Sequence, residues 1–183
     1  MKIVQYPHPA LRHKADPVTS ITKELHIQVG AMLELMYASE GLGLAAPQIA
    51  VANRVLVMNF SGDPEDKSQE YVAINPVLLE EKGTIEDREG CLSFPGLFSK
   101  VRRARGVKVQ AYNLKGELYE MTATDLPARV WQHEIDHLDG VLFIDKLGLL
   151  GRMNSKRAIE DFIDDFRKAK EKGDLPPDME PKF

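Results

Sequence analysis

The chain has 183 residues, 43% apolar and 28% charged, the balance of one ordinary globular domain. A formal net charge of -4 argues against a general nucleic-acid binder, although local basic patches remain open, and no apolar run approaches the roughly 20 residues of a membrane helix. The single cysteine, Cys91, excludes an internal disulfide and fits a reducing compartment. The opening MKIVQYPHPALR lacks both a signal pattern and the character of a transit peptide, so a cytoplasmic location is expected.

Pro7, Pro9 and Pro17 break any long element in the first 18 residues. From Ile21 to Ser39, the residues Leu25, Val29, Met32, Leu33 and Met36 recur at three- and four-residue steps and predict a helix with one apolar stripe. Ser20 or Thr22 is the expected cap, and Gly41 follows its end. EGLGLAAPQIA (40–50) reads by itself as a helix cap and turn. Its small residues also let backbone approach a bound peptide, and Gln48 is a candidate amide donor to a polarised carbonyl. RVLVMNF (54–60) predicts a strand, SGDPEDKSQE a loop, and YVAINPVLLE (71–80) a strand region interrupted at Pro76. REGCLSFPG, around Cys91, reads as irregular chain in which a side chain can be aimed.

GVKVQAYN (106–113) and ELYEMTAT (117–124) predict a hairpin. Thr124 or Asp125 is the expected cap of a helix from about Leu126 to Leu138, with Pro127 near its start and Asp139-Gly140 at its end. A last helix, about Asn154 to Lys170, carries Ile159, Phe162, Ile163 and Phe166 on one face. Packing of that face on the domain is the favoured reading; docking through its basic end is the other. Residues 171–183 are expected to form a loose tail. Strand runs followed by helices predict an α+β fold, as a single domain over 1–183.

The chemistry concentrates in WQHEIDHLDG (131–140). Residues four apart share a helix face, so His133 and His137 can both reach one metal ion. Glu134 is rotated off that line and can reach a water at the metal without filling a coordination position, the division of labour that hydrolysis needs. The plain alternative is a charged helix that happens to carry two histidines. A catalytic site also needs a third protein ligand. The longer HExxHxxGxxH pattern would place it at 143, where Phe143 stands. Glu160 is a downstream acidic candidate, although the apolar stripe of its helix already explains that segment. Cys91 is the other candidate, since a thiolate beside a divalent cation is deprotonated and makes a good ligand. A lone cysteine is otherwise a small buried hydrophobe. A Cys-His nucleophilic hydrolase leaves the metal spacing of the histidines unexplained.

Taken together, GLGLAAPQ (41–48), EGCLS (89–93) and QHEIDHL (132–138) resemble, in order, the three marking motifs of the peptide deformylases. YPHPALR, INP and GVLFID add to a resemblance that covers about residues 3 to 147. The resemblance implies a monomeric α+β fold, with short mixed or antiparallel sheets around the HExxH helix and helices toward either end. It implies removal of the N-formyl group from formyl-methionyl nascent peptides, with release of formate. By position it makes Cys91, His133 and His137 the metal ligands and Glu134 the general base, then the acid toward the leaving amine. Gln48 and the backbone N–H of Leu92 hold the formyl oxygen. Gly41 and Gly43 let the chain pair with the peptide, and Glu89 and Arg129 are counted on the substrate side. Fe²⁺ is the expected metal, with Zn²⁺, Ni²⁺ or Co²⁺ as substitutes. A transient ribosome contact is expected by analogy, without membrane or direct nucleic-acid binding.

Two features depart from the resemblance. Phe94 is bulkier than the usual aliphatic residue and is expected at the rim. Arg129 and Asp87 occupy positions that are often apolar, so Arg129 is expected to pair with Asp87 or Glu89, and Glu89 with Arg103. A zinc peptidase and a structural metal module are the competing readings.

Overall fold

The computed structural model describes residues 1–173. Residues 174–183, most of the expected tail, lie outside the described residues. The first expected helix forms as α1, Lys23–Ala38, with the Thr22 hydroxyl accepting the Leu25 N–H. Of its stripe, Leu25, Val29, Met32 and Met36 are buried and Leu33 is half-buried.

Seven strands follow. β1 is Gly43–Ala45, β2 Val55–Asn59, β3 Glu70–Lys82, β4 Ile85–Cys91, β5 Phe94–Arg103, β6 Gly106–Tyr112 and β7 Leu118–Thr124. Five of them form one sheet in the order β1-β2-β3-β6-β7, while β4 and β5 form a separate hairpin. Every pairing between these strands is antiparallel. The mixed sheet that the sequence left open is therefore corrected: the one parallel pairing recorded among the described residues is an isolated bridge of Asp16 to Asn53.

β2 is buried on both faces, and its two side-chain rows enter different cores. Val55 and Val57 join Leu25, Val29, Met32 and Met36 of α1. Leu56 and Met58 join Trp131, Ile135 and Leu138 of α2, Asp125–Leu138. The sheet thus lies between two helices. A third cluster packs Phe94, Leu97 and Val101 of the β4–β5 hairpin against Leu142, Phe143 and the Phe162 face of α3, Leu149–Lys172. The expected Phe face of the last helix is thus packed against the domain, with Phe162 edge-on to Phe94 and Phe166 edge-on to His8.

Three local expectations change. Pro76 does not interrupt β3. A bulge between Ile74 and Val77 absorbs the residue without an N–H, with Asn75 at φ 51°. Asn75 is fixed there by two hydrogen bonds of 2.8 Å with the backbone of Val18. α3 begins at Leu149 rather than near Asn154; Leu149 and Leu150 are exposed, so no buried apolar stripe marked the extra turn in the sequence. The chain around Cys91 is a hairpin, not irregular, and its exposed acidic and basic residues hid the strand pattern.

α2 ends at Leu138 with Asp139 as its C-cap, and Gly140 turns the chain away at φ 70°. A Cβ on Gly140 would lie 2.6 Å from the Arg12 carbonyl oxygen. The Arg12 guanidinium meanwhile grips Asp145, whose carboxylate also accepts the Leu142 N–H. Gly140→Ala should therefore cost about 1–3 kcal/mol. Thermal unfolding should shift down by about 2–4 °C per kcal/mol; an unchanged midpoint would contradict this reading of the turn.

Candidate active site

α2 buries His133, Glu134 and His137 together. Helical spacing sets the two imidazoles edge to face, with centroids 4.8 Å apart and their Nε2 atoms 3.2 Å apart. Cys91 ends β4 just past a register shift that follows Gly90. Its Sγ lies 3.2 Å from His137 Nε2. The three ligand atoms all fall within 4.8 Å of one another. The thiol touches the edge of the Phe94 cluster, but its sulfur faces the imidazoles. The Ser93 N–H and Gln48 Nε2 point at that sulfur from 3.4 and 3.5 Å.

This donor set fits a divalent cation. Glu89 stands 2.7 Å from His133 Nδ1 and is placed to accept its proton, so that in the neutral ring the lone pair is on Nε2. That lone pair, His137 Nε2 and the sulfur all face one another. Two nitrogens bound at about 2.0–2.1 Å in a tetrahedral arrangement would stand roughly 3.3 Å apart, close to the observed separation. Glu160 is no part of the group: it lies on α3 in an exposed ion pair with Lys156, beside a shallow surface groove. Phe143, at the other excluded ligand position, is core.

The electrostatics divide the site. Burial pushes the Glu134 carboxyl up to about 7, and its buried Oε2 has no hydrogen-bond partner among the described residues. Burial drives His137 well below its ordinary value. Burial acts the same way on His133, but hydrogen bonds to Cys91 and Glu89 outweigh it and raise that imidazole. Burial would raise Glu89, yet Arg103 and His133 hold its carboxyl far below the usual range.

Glu89 is the hub of this second layer. Arg103 forks onto both of its oxygens at 2.7 and 2.6 Å and reaches Asp136 on α2 at 2.8 Å. Arg129 adds a bond of 3.0 Å to Glu89. Both pairings anticipated for Glu89 form, and with side chains 1–8% exposed they are buried rather than weak surface contacts. Asp87 meets Arg129 through its backbone carbonyl at 3.0 Å, not through its carboxylate. Phe94 is wholly buried, stacked on Tyr6 at 4.9 Å and edge-on to Phe143 at 5.2 Å, though it also borders the cleft.

The cleft beside these residues has a volume of about 550 Å³. Gly41, Gly43, Gln48, Leu92, Glu89 and Arg129 line it, together with His133 and Glu134. β1 forms its edge, where a short extended segment stands in place of the expected turn. The Ala45 N–H donates to Gln48 Oε1 at 2.8 Å, turning the amide Nε2 inward toward Cys91 and Ser93. Sequence reasoning passed over Ser93, which supports Gln48 at 3.3 Å, and Gln132, which pairs with both backbone groups of Ala104. Both sit inside motifs already singled out, EGCLS and QHEIDHL, so position within the motif was the available signal.

The family model described as polypeptide deformylase matches residues 1–153. The chain belongs to the polypeptide deformylase family. It is 47% identical to a peptide deformylase of Acidobacterium capsulatum over 82% of this chain and 88% of that one. Against the peptide deformylase of Neisseria gonorrhoeae the identity is 44%, over 85% and 93%. Among solved structures, an Arabidopsis thaliana peptide deformylase bound to an inhibitor superposes with a TM-score of 0.88 at 37% identity, covering 96% of each chain. A Plasmodium falciparum peptide deformylase gives 0.88 at 35% identity, covering 91% of this chain and 98% of that one. The chain is therefore a deformylase, acting on N-formyl-methionine peptides, in a family that depends on a metal. No helix among the described residues is long and apolar enough to cross a membrane.

Gly43 touches α2 closely. A Cβ there would lie 2.5 Å from Glu134 Oε1 and 2.7 Å from its Cδ. Gly43→Ala should displace that carboxylate and lower kcat/KM by about 10²-fold while metal content is unchanged. Deformylation at the wild-type rate in this variant would show that Glu134 tolerates the shift.

Proposed function

We propose that Cys91, His133 and His137 hold one divalent ion, and that Glu134 works beside it as the proton carrier of deformylation. The observation that carries this reading is the convergence of one sulfur from the end of β4 and two imidazole nitrogens from α2 to within 4.8 Å. Fe²⁺ is the expected ion, and zinc, nickel or cobalt suit the same soft and borderline donors. When bound, such a cation acidifies water and polarises a carbonyl oxygen.

The chain's own groups do the rest. Glu134, raised toward 7 by burial, takes a proton from the attacking water and returns it to the leaving amine. Gln48 Nε2 and the Leu92 backbone N–H donate to the formyl oxygen as charge gathers on it. Gly41 and Gly43 leave the β1 edge bare, so the peptide backbone can pair there as an added strand; a Cβ on Gly41 would meet Leu92 at 2.7 Å. Glu89 and Arg129 form the wall on the other side and act on the substrate through the position of His133. The HExxH helix is read as the centre of a single domain over 1–183, supported by its packing against Leu56, Ala73, Val107 and Ala123 of the large sheet.

The same reading makes the protein a cytoplasmic monomer that meets nascent chains, with a transient ribosome contact and no direct nucleic-acid binding. The support is the family analogy and the net charge of -4.

The test is anaerobic purification with metal analysis, followed by formate release from formyl-Met-Ala-Ser. Cys91→Ser should emerge nearly free of metal and inactive. Glu134→Ala should keep its metal and lose about 10²–10⁴-fold in turnover. Full metal in Cys91→Ser would point instead to a peptidase-like ligand set, and undiminished function in Glu134→Ala to a structural metal.

A further inference from the structure

The proposed ligands come from two pieces of chain that meet edge to edge. Cys91 belongs to the β4–β5 hairpin; His133 and His137 belong to α2. The hairpin shares no strand pairing with the five-stranded sheet, so other contacts must fix its distance from α2. Arg129 lies one helical turn before His133 and is 4% exposed. Its guanidinium crosses into the hairpin. Nη1 donates to the Val101 carbonyl at 3.1 Å, and Nη2 to the Asp87 carbonyl and to Glu89 Oε2, both at 3.0 Å. Asp87 and Val101 stand directly opposite each other in the β4–β5 register, so one guanidinium fastens both strands to the helix at the same rung.

Glu89 receives the other end of this clamp. Its Oε1 accepts from Arg103 Nη2 and meets His133 Nδ1, while its Oε2 accepts from Arg103 Nε and from Arg129 Nη2. Arg103 starts from the hairpin itself, so Arg129 is the bond to Glu89 that reaches across from α2 besides His133. Without it, two carbonyls of the hairpin lose a donor from α2 and the carboxylate keeps one fewer restraint against rotation about its Cγ–Cδ bond. Groups that orient a metal-bound histidine from behind typically change metal affinity by about 10–100-fold when removed.

We propose that Arg129 is a positioning residue that locks Glu89, and through it the His133 imidazole, and thereby sets how tightly this deformylase keeps its metal. Arg129 borders the cleft, and its guanidinium is engaged by the Val101 and Asp87 carbonyls and by Glu89.

The inference rests on the proposed ligand set, and its test separates the two. Zinc-loaded wild type, Arg129→Met, Arg129→Lys, Glu89→Gln and the Glu89→Gln/Arg129→Met double variant are challenged with a chromogenic chelator, and thermal midpoints are read on the same samples. Cys91→Ser serves as the control for the ligand set. Arg129→Met should release zinc about 10–100-fold faster than wild type. Arg129→Lys, which keeps the charge but cannot bridge both carbonyls, should fall between them. In the Glu89→Gln background, Arg129→Met should add little, because the effect runs through Glu89. Wild-type zinc release in Arg129→Met or Arg129→Lys, with or without a lowered midpoint, overturns the inference, as does full additivity in the double variant. If Cys91→Ser holds zinc as firmly as wild type, the ligand set has failed instead.

Discussion

A buried carboxylate holds this site together. Removing Glu89 from water carries a penalty of several kcal/mol, which only close, well-aligned partners offset. It has them: a two-pronged Arg103, a second guanidinium from Arg129 and the Nδ1 side of His133. Each partner links different parts of the chain. Arg103 runs on to Asp136, and Arg129 to the paired carbonyls of β4 and β5. The same charge that joins hairpin to helix therefore fixes which nitrogen of His133 faces the sulfur.

Everything closer to the chemistry depends on that joint. Cys91 leaves its strand at a register shift, so a small slip of the hairpin would swing the sulfur away from His137. Gln48 is aimed from the opposite wall through the Ala45 N–H and Ser93. Glu134 lines the same cleft, and its burial lifts its carboxyl to about 7. The aromatic cluster of Tyr6, Phe94, Phe143 and Phe162 backs the hairpin from behind and joins it to α3.

Much of this was legible in the residues. The apolar stripe of α1, its Thr22 cap, the 106–124 hairpin and the stop at Asp139-Gly140 follow from local periodicity and capping, because their neighbours in space are also neighbours in sequence. The shared face of His133 and His137 on α2 follows from their i, i+4 spacing for the same reason. The β4–β5 hairpin escaped notice: a two-stranded ribbon with exposed Glu86, Asp87 and Arg88, and with Pro95 and Gly96 in its return strand, shows no clean alternation. β1 is too short to carry a period at all. Pairing between distant charges was readable as a shortlist, but that Arg129 would choose the carboxylate of Glu89 and only the carbonyl of Asp87 depends on how the hairpin docks.

The central claim, one sulfur and two imidazoles on a single ion, is open to direct measurement by X-ray absorption at the metal edge of the zinc-loaded protein. The account predicts one sulfur at about 2.3 Å and two nitrogens at about 2.0–2.1 Å, with a remaining position taken by a light atom. A shell made only of nitrogen and oxygen would contradict it.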